Sequence, residues 1–468
     1  MYNYRIIKFG GSNLRSSSDI EELYNVLNYY ERPVIVVMSA FYGVTDQLEN
    51  VIRSSGNILN KGKRLINYLW EYKTGIIDEV IQNSRLKDDL KEELANRLES
   101  LEKSIFAVHC IGDLPDFLED EILSYGERLS SVIFSGFLRS KGFNCKELLP
   151  EDIPFITDGV FGKASVNYEL NASAIQEKLN GSSYIIPGFY GVSKQGKITL
   201  LGRGGSDYLA ACIANCVNAK SLDVWKDVNG FMSADPEYID NPWELEFLSY
   251  DEASEIAYFG SEILHPRTAE PLRSKDIPIN IYNIRDFSNW PSPHTFISHN
   301  GSVSNQVIKS ISHSNSFAII RFAGSGVGAK PGVLAHITRL FDQNRINIKS
   351  VLTSQIAINV LLEKDDVQAA MALLENDDIE TVESISIKDD IAVIAAVGEG
   401  LVHYEGIASE IFTAVAEKGI NVQLICFGAS PVALYFVVEN TKRLEAVKAI
   451  HNYFFSPKKH FEPEPNHQ

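Results

Sequence analysis

Cysteine is scarce in this chain: five residues in 468, odd in number and without C-x-x-C spacing. That count excludes a disulfide framework and a zinc ribbon, and it fits a reducing cytoplasm. Cys212 and Cys216 lie one helical turn apart in an apolar stretch and read as packing residues. Long apolar runs are missing too. No stretch reaches roughly 18 residues, and no charged, apolar, cleavable leader opens the chain. Neither a membrane partner nor an export signal is expected, and the fold is expected to begin close to Met1. Positive charge is in deficit, with 43 Lys and Arg against 61 Asp and Glu, a net charge of −18. With no basic stripe to compensate, nucleic acid is not an expected partner, and an anionic substrate must be held by locally placed cations. Three phosphate-binding signatures are absent as well: G-x-x-x-x-G-K-[ST], a dinucleotide G-x-G-x-x-G after a strand, and the protein-kinase catalytic loop.

What is present begins with two glycine turns. The segment Gly202-Arg203-Gly204-Gly205-Ser206-Asp207 lies between a strand pattern, Lys197 to Leu201, and a helical one, Tyr208 to Ala214. Strand, glycine turn and helix N-terminus together make a seat for an anion, because the first-turn amides and the helix dipole both favour negative charge. Arg203 adds a forked cation suited to a carboxylate, and Asp207 an acid at the helix start. The second turn, Lys8-Phe9-Gly10-Gly11-Ser12, follows the strand Tyr4 to Ile7. Its glycines allow close backbone approach, and Lys8 can reach a phosphate as a point charge. In isolation either segment could equally be an ordinary βα turn.

A length of 468 residues implies two to four domains. Pro33 to Met38 reads as a buried parallel strand, and further strand patterns occur at 183–186, 198–201, 222–225 and 277–281. Leu86, Leu90, Leu94, Leu98, Leu101 and Ile105 form one apolar helical stripe, expected to pack on the domain rather than to form a dimer. Strands interleaved with helices imply a largely parallel sheet covered on both faces. A polar stretch, Ser298 to Asn305, then precedes a tail with an internal repeat. Gly324, Gly326, Gly332, Ile337, Ile346, Asn347 and Ile348 recur, 74 positions on, as Gly398, Gly400, Gly406, Ile411, Ile420, Asn421 and Val422.

Lys8-Phe9-Gly10-Gly11-Ser12, Ser124-Tyr125-Gly126-Glu127-Arg128, Gly202 to Asp207, Asp227-Val228-Asn229-Gly230-Phe231, Asp235-Pro236 and Leu264-His265-Pro266 occur in an order and spacing that resemble the aspartate kinases. These are members of the amino-acid kinase superfamily. The resemblance covers residues 1 to about 300, and the repeat resembles two ACT modules, small ferredoxin-like ligand-sensing units. The implied fold is α/β: a three-layer α/β/α kinase domain with a mostly parallel sheet, plus two α+β ACT modules. The expected boundaries are 1–298 for the kinase domain, 299–313 for a linker, 314–388 for the first ACT module and 389–449 for the second. In this family the second module is usually inserted within the first, so residues 450–468 are expected to return and complete the first.

The resemblance also implies ATP as co-substrate with Mg²⁺, L-aspartate as acceptor and 4-phospho-L-aspartate as product. It places Lys8 on the transferred phosphates, with Gly10, Gly11 and Ser12 in close backbone contact and Asp207 beside it as a catalytic residue. Thr45, Glu127, Arg203, Ser206 and Asp207 form the implied aspartate pocket. Lys226, Asp227, Met232, Glu237 and Glu262 fall at nucleotide-side positions. Here the chain departs from the family: Glu237 and Glu262 stand where cations are usual, Lys226 where Thr is common, and Met232 where Tyr is common. His265 reads as structural, and no protein metal site is expected. The resemblance further implies a cytoplasmic homodimer or higher oligomer joined through its ACT modules. Lysine or threonine is the implied effector, at Gly326, Ala329, Asn347 and Ile348. A chain ending near residue 468 implies no attached homoserine dehydrogenase. A catalytically weak relative that binds amino acids as a regulatory partner is the rival reading, suggested by Glu237 and Glu262. A kinase for glutamate or N-acetylglutamate fits the tandem tail less well.

Overall fold

The computed structural model describes residues 3–456 apart from 55, 154, 262, 287–289, 300–306, 376 and 378. Its elements run β1 (Arg5–Phe9), α1 (Ser17–Leu27), β2 (Val34–Met38), α2 (Val44–Ile52), α3 (Ile58–Val80), α4 (Ser84–Ile111), α5 (Asp116–Ser140), β3 (Cys145–Glu147), α6 (Tyr168–Lys178), β4 (Ser183–Pro187), β5 (Tyr190–Val192), β6 (Ile198–Leu200), α7 (Gly205–Val217) and β7 (Leu222–Lys226). There follow β8 (Phe247–Ser249), α8 (Tyr250–Tyr258), α9 (Ala269–Arg273), β9 (Ile279–Asn283) and β10 (Thr295–Ser298). The tail adds β11 (Ser310–Ser314), β12 (Phe317–Ala323), α10 (Val333–Gln343), β13 (Ile348–Ser354), β14 (Ala357–Glu363), α11 (Val367–Leu374), β15 (Ser384–Lys388), β16 (Ile391–Val397), α12 (Ile407–Ala416), β17 (Leu424–Phe427), β18 (Ala433–Glu439) and α13 (Arg443–Phe455). Among the described residues no helix is long and apolar enough to cross a membrane.

The first unit is built on an eight-stranded sheet, ordered β3-β4-β2-β1-β7-β9-β10-β8. Pairing is parallel from β3 through to β9, and β10 runs antiparallel to β9. The central strands are apolar on both faces because both are covered. Ile7, Phe9, Val34, Val36 and Met38 join one core with residues of α1 to α5. Alternation sends Ile6 and Lys8 to the opposite face, where α7 packs along β1. The leucine stripe of α4 is buried in the first core, from Leu90 to Ile105. Cys212 and Cys216 are fully buried along α7, and all five cysteines are free.

The chain divides into two compact units. The first comprises Met1–Met232, Glu244–Ala257 and Glu262–Ser302; the second comprises Ser233–Trp243, Tyr258–Ser261 and Val303–Gln468. The expected continuous domain over 1–298 is therefore interrupted twice.

Within the second unit lie two four-stranded sheets, β13-β14-β12-β15 and β11-β16-β18-β17. The module from β12 to β15, which is the first repeat, is continuous and sits as an insertion in the second, the reverse of the expected nesting. β11 pairs antiparallel with β16, Ser310 opposite Val397, on the edge that β15 occupies in the inserted module. Two expectations are corrected by this pairing. Ser310 to Ser314 is an edge strand rather than linker, because β16 would otherwise leave that side of its ladder unpaired. The helix running to Phe455 closes the second module, not the first: Val447, Ile450 and Phe455 lie in a core with Ile311, Ile394 and Phe436. Residues 457–468 lie outside the described residues.

Candidate active site

The C-terminal ends of β1, β2 and β7 converge where α5 and α7 present polar side chains from within apolar surroundings. Lys8, Glu127 and Asp207 are each only 4% exposed, and Ser206 is buried beside them. The Lys8 ammonium lies 2.5 Å from Asp207 Oδ1, and Lys226, at the end of β7, lies 3.7 Å from Asp207 Oδ2. One buried carboxylate thus sits between two lysines. Burial would raise Asp207, but Lys226 and Lys8 outweigh it and hold its pKa below the ordinary carboxylate range. Burial holds Lys8 below the usual lysine range; Asp207 opposes that effect, and Lys226 reinforces it.

Glu127 behaves differently because, among the described residues, no cation forms a salt bridge with it. Burial pushes its carboxyl up to about 8, against the pull of the Ala40 amide, the Ser206 hydroxyl and Lys8. Ser206 Oγ donates to Glu127 Oε1 at 3.4 Å, while Oε2 is buried with no hydrogen-bond partner among the described residues. An open, buried carboxylate oxygen is costly unless something arrives to meet it.

The turns allow this convergence through close contacts that only glycine permits. Gly204 caps α7 in the left-handed region, φ 68°, without a side-chain cap, so the helix N-terminus carries no competing side-chain acceptor. A Cβ on Gly204 would lie 2.5 Å from His265, and one on Gly11 2.9 Å from the Ala40 carbonyl. Ser12 Oγ donates to Asp227 Oδ1 at 3.0 Å and Asn13 Nδ2 to the Trp225 carbonyl at 3.0 Å, which ties the first glycine turn to the end of β7. Gly10 adjoins Lys8 and Ser12, and Thr45, in the first turn of α2, abuts Gly126 of α5. Arg203 is exposed on the turn before α7. His265 caps the short turn that follows, accepting from the Arg267 amide at 3.2 Å.

Lys8, Glu127, Ser206, Asp207 and Lys226 are therefore brought together, with Gly10, Gly11, Ser12, Thr45 and Asp227 adjoining them. Met232 is half-buried and bridges to Glu244. Glu237 is exposed in the Ser233–Trp243 segment of the second unit; burial and then Arg443 hold His313 below the ordinary histidine range, and Asp235 and Glu237 oppose that shift. Glu262 lies outside the described residues. In the tail, β12 ends at Ala323 opposite Ala357, and Ser354 also pairs with Ala357, whereas Ile348 pairs with Leu362. The Gly326 and Ala329 loop is consequently at one end of its sheet and Asn347 and Ile348 at the other. The resemblance implied one effector site among these four, but the register of one module separates them. Sequence reading passed over Asn13 and Asp120; both are polar and buried, a property no spacing reveals.

The Amino acid kinase family model matches residues 3–283, and the ACT domain model matches 320–377 and again 394–454. The chain belongs to the amino acid kinase family. This kinase is 28% identical over 465 residues to Aspartokinase 1, chloroplastic, of Arabidopsis thaliana, a match covering 96% of this chain and 80% of that protein. It is 25% identical over 490 residues to the aspartokinase of Saccharomyces cerevisiae, covering 96% and 92%. Escherichia coli aspartokinase III in complex with aspartate and ADP superposes with a TM-score of 0.86 at 22% identity, over 97% of this chain and all of that one, so the fold is shared. The Clostridium acetobutylicum aspartate kinase superposes at 0.72 with 25% identity, over 96% of this chain and 100% of that one. A likeness running end to end, ACT tail included, makes the protein an enzyme of the aspartate kinase type.

Proposed function

We propose that this kinase transfers the γ-phosphoryl group of ATP to the β-carboxylate of L-aspartate, giving 4-phospho-L-aspartate and ADP. The observation that carries the reading is the buried Glu127, with one oxygen open, beside a lysine-flanked helix N-terminus. An ammonium meets the first and an anion the second. Aspartate brings both, and its side-chain carboxylate is already ionised at neutral pH, so the attack on phosphorus needs no general base.

The chain's own residues supply positioning and charge. Glu127 takes the substrate ammonium, and Ser206 and Thr45 order the pocket around it. Arg203 closes on a substrate carboxylate through paired hydrogen bonds. As the γ-phosphoryl group leaves ADP, negative charge spreads over its oxygens, and Lys8 and Lys226 stand where that charge develops. At an effective dielectric of about 20 and a separation of about 4 Å, each such contact is worth about 4 kcal/mol. Asp207 holds both ammonium groups in place before the nucleotide arrives. Gly10, Gly11 and Ser12 provide the close backbone surface. Among the described residues no group of three His, Cys, Asp or Glu could hold a metal ion. Mg²⁺ would enter this site with ATP, where it would neutralise phosphate charge.

The ACT modules give the enzyme an amino-acid sensor, and lysine or threonine is the proposed effector. Since Gly326 and Ala329 are separated from Asn347 and Ile348 within one module, a site using all four requires a second copy of the chain. The edge strand β17 exposes Ile425 and Phe427, which supports pairing of copies along that side. The five free cysteines support a reducing cytoplasmic setting.

A coupled ADP-release assay with Mg-ATP, run against aspartate, glutamate and N-acetylglutamate and backed by hydroxylamine trapping of the acyl phosphate, tests the reading. Aspartate-dependent ADP release with hydroxamate formation is expected. Absence of turnover with every acceptor would instead favour the amino-acid-binding regulatory reading that Glu237 and Glu262 suggest.

A further inference from the structure

Asp120 lies on α5, seven residues before Glu127, and so about two turns away on the same face of that helix. It is 2% exposed. Its Oδ2 accepts two backbone hydrogen bonds at once, from Gly162 at 2.9 Å and from Leu200 at 2.8 Å. These amides belong to different segments. Leu200 ends β6, which runs directly into Gly202-Arg203-Gly204 and α7. Gly162 lies in the loop before Ala164, whose amide donates to the Leu200 carbonyl at 2.8 Å. A Cβ on Gly202 would lie 3.2 Å from the Gly162 carbonyl, so loop and turn are in close contact as well.

One oxygen atom therefore joins three pieces of backbone: the helix that carries Glu127, the strand that delivers Arg203, Ser206 and Asp207, and the loop against that turn. We propose that Asp120 is a positioning residue, which sets the spacing between Glu127 on α5 and the Arg203–Asp207 turn and thereby the affinity of the acceptor pocket. This rests on the reading of that pocket as the aspartate site. The Ser206–Glu127 hydrogen bond, at 3.4 Å, is already long, so a small slip of α7 relative to α5 breaks it. Burial raises the Asp120 carboxyl to about 6 while the Leu200 and Gly162 amides oppose that rise, so a group disfavoured by its surroundings is kept there by the two amides. Asparagine retains a carbonyl oxygen able to accept both amides, whereas alanine retains nothing.

The test compares the parent with Asp120→Asn and Asp120→Ala in the full-length protein. Steady-state kinetics should show the aspartate KM raised about tenfold or more in the alanine variant, with kcat within about threefold and the ATP KM unchanged. Asparagine should recover most of that loss. Independently of any substrate, hydrogen exchange should quicken about tenfold in Asp120→Ala over residues 157–164 and 198–206, and not over α4. Unchanged exchange in those segments would overturn the proposal, as would equal losses in the KM of both substrates together with kcat. A parent that ignores aspartate would defeat the pocket reading alone, because the exchange comparison still decides whether Asp120 holds the turn.

Discussion

Raising the pH from 6 to 8 should tighten aspartate binding, and Glu127 fixes by how much. Its carboxyl is held up to about 8 by burial, so at pH 7 about nine-tenths of the ligand-free protein carries Glu127 protonated. A substrate ammonium needs the ionised form, so binding at pH 7 must expel nearly one proton. By linkage, the apparent affinity should rise about tenfold between pH 6 and 7, about fivefold between 7 and 8, and little beyond. Calorimetric titration of aspartate in phosphate and in Tris, whose ionisation heats differ, reads the proton number directly. Glu127→Gln should bind at least about thirtyfold more weakly, the scale of losing a charged hydrogen bond, and should lose the pH dependence over this range. Stability should move in a related way. The folded pKa lies above the ordinary Glu value of 4.5, so the protonated fold is favoured and stability falls as pH climbs from about 4.5 to about 8. Glu127→Gln should therefore raise Tm more at pH 8 than at pH 5. Zero proton release with flat affinity in the parent would refute the argument, since Glu127 would then be ionised before substrate arrives or never meet the ammonium.

Lys8→Ala should lower turnover at least about 100-fold with little change in aspartate affinity, as expected for a contact made in the transition state; normal turnover in the folded variant would show that Lys8 is not on the transferred phosphate. Arg203→Lys keeps the charge but loses the fork, so the aspartate KM should rise while the ATP KM holds, and an unchanged aspartate KM would remove Arg203 from the pocket. Lys73 is completely buried over the Phe41 ring, 3.2 Å from its centroid, with no hydrogen-bond partner among the described residues. Burial holds its pKa well below the ordinary 10.5, so stability should rise with pH from that lowered value towards 10.5. Lys73→Met should remove this slope and stabilise the fold by about 1–3 kcal/mol in denaturant titrations. Glu237→Arg should push the His313 pKa further down by removing an anion that faces it, and an unmoved NMR titration would show that the two do not interact.

Much of the site was legible because glycine turns and helix starts leave marks in sequence. The strand–turn–helix signal at Gly202 to Asp207 marked the N-terminus of α7, and Lys8 before two glycines marked the other wall. Asp120 left no such mark. An isolated aspartate on a helix reads as a surface charge until the fold shows which amides it faces. Register was hidden in the same way. Gly326 and Asn347 are neighbours of the same helix in chain order, but the antiparallel ladder sends them to opposite ends of the sheet. Nor could Asp235-Pro236-Glu237 reveal its place, since a motif specifies a turn and not the unit on which it packs. Ser233 accepts from the Ile311 amide at 2.8 Å and bonds to His451 at 2.9 Å, partners far away in sequence.

β11 imposes an order on the making of this molecule. It leaves the ribosome before the whole of the inserted module, yet its partner β16 follows that module. Until β16 emerges, β11 is an edge without a sheet, and the span from Phe317 to Lys388 must be closed into a loop before the two can pair. The entropy of that closure grows only slowly with length, and a folded insertion brings its own ends together, so completing the first module shortens the search for the second. A fragment beginning at Phe317 would contain both repeat units and still leave β16 with a bare flank, open to a strand from another molecule. The regulatory half of this enzyme thus has its natural boundary upstream of its first repeat.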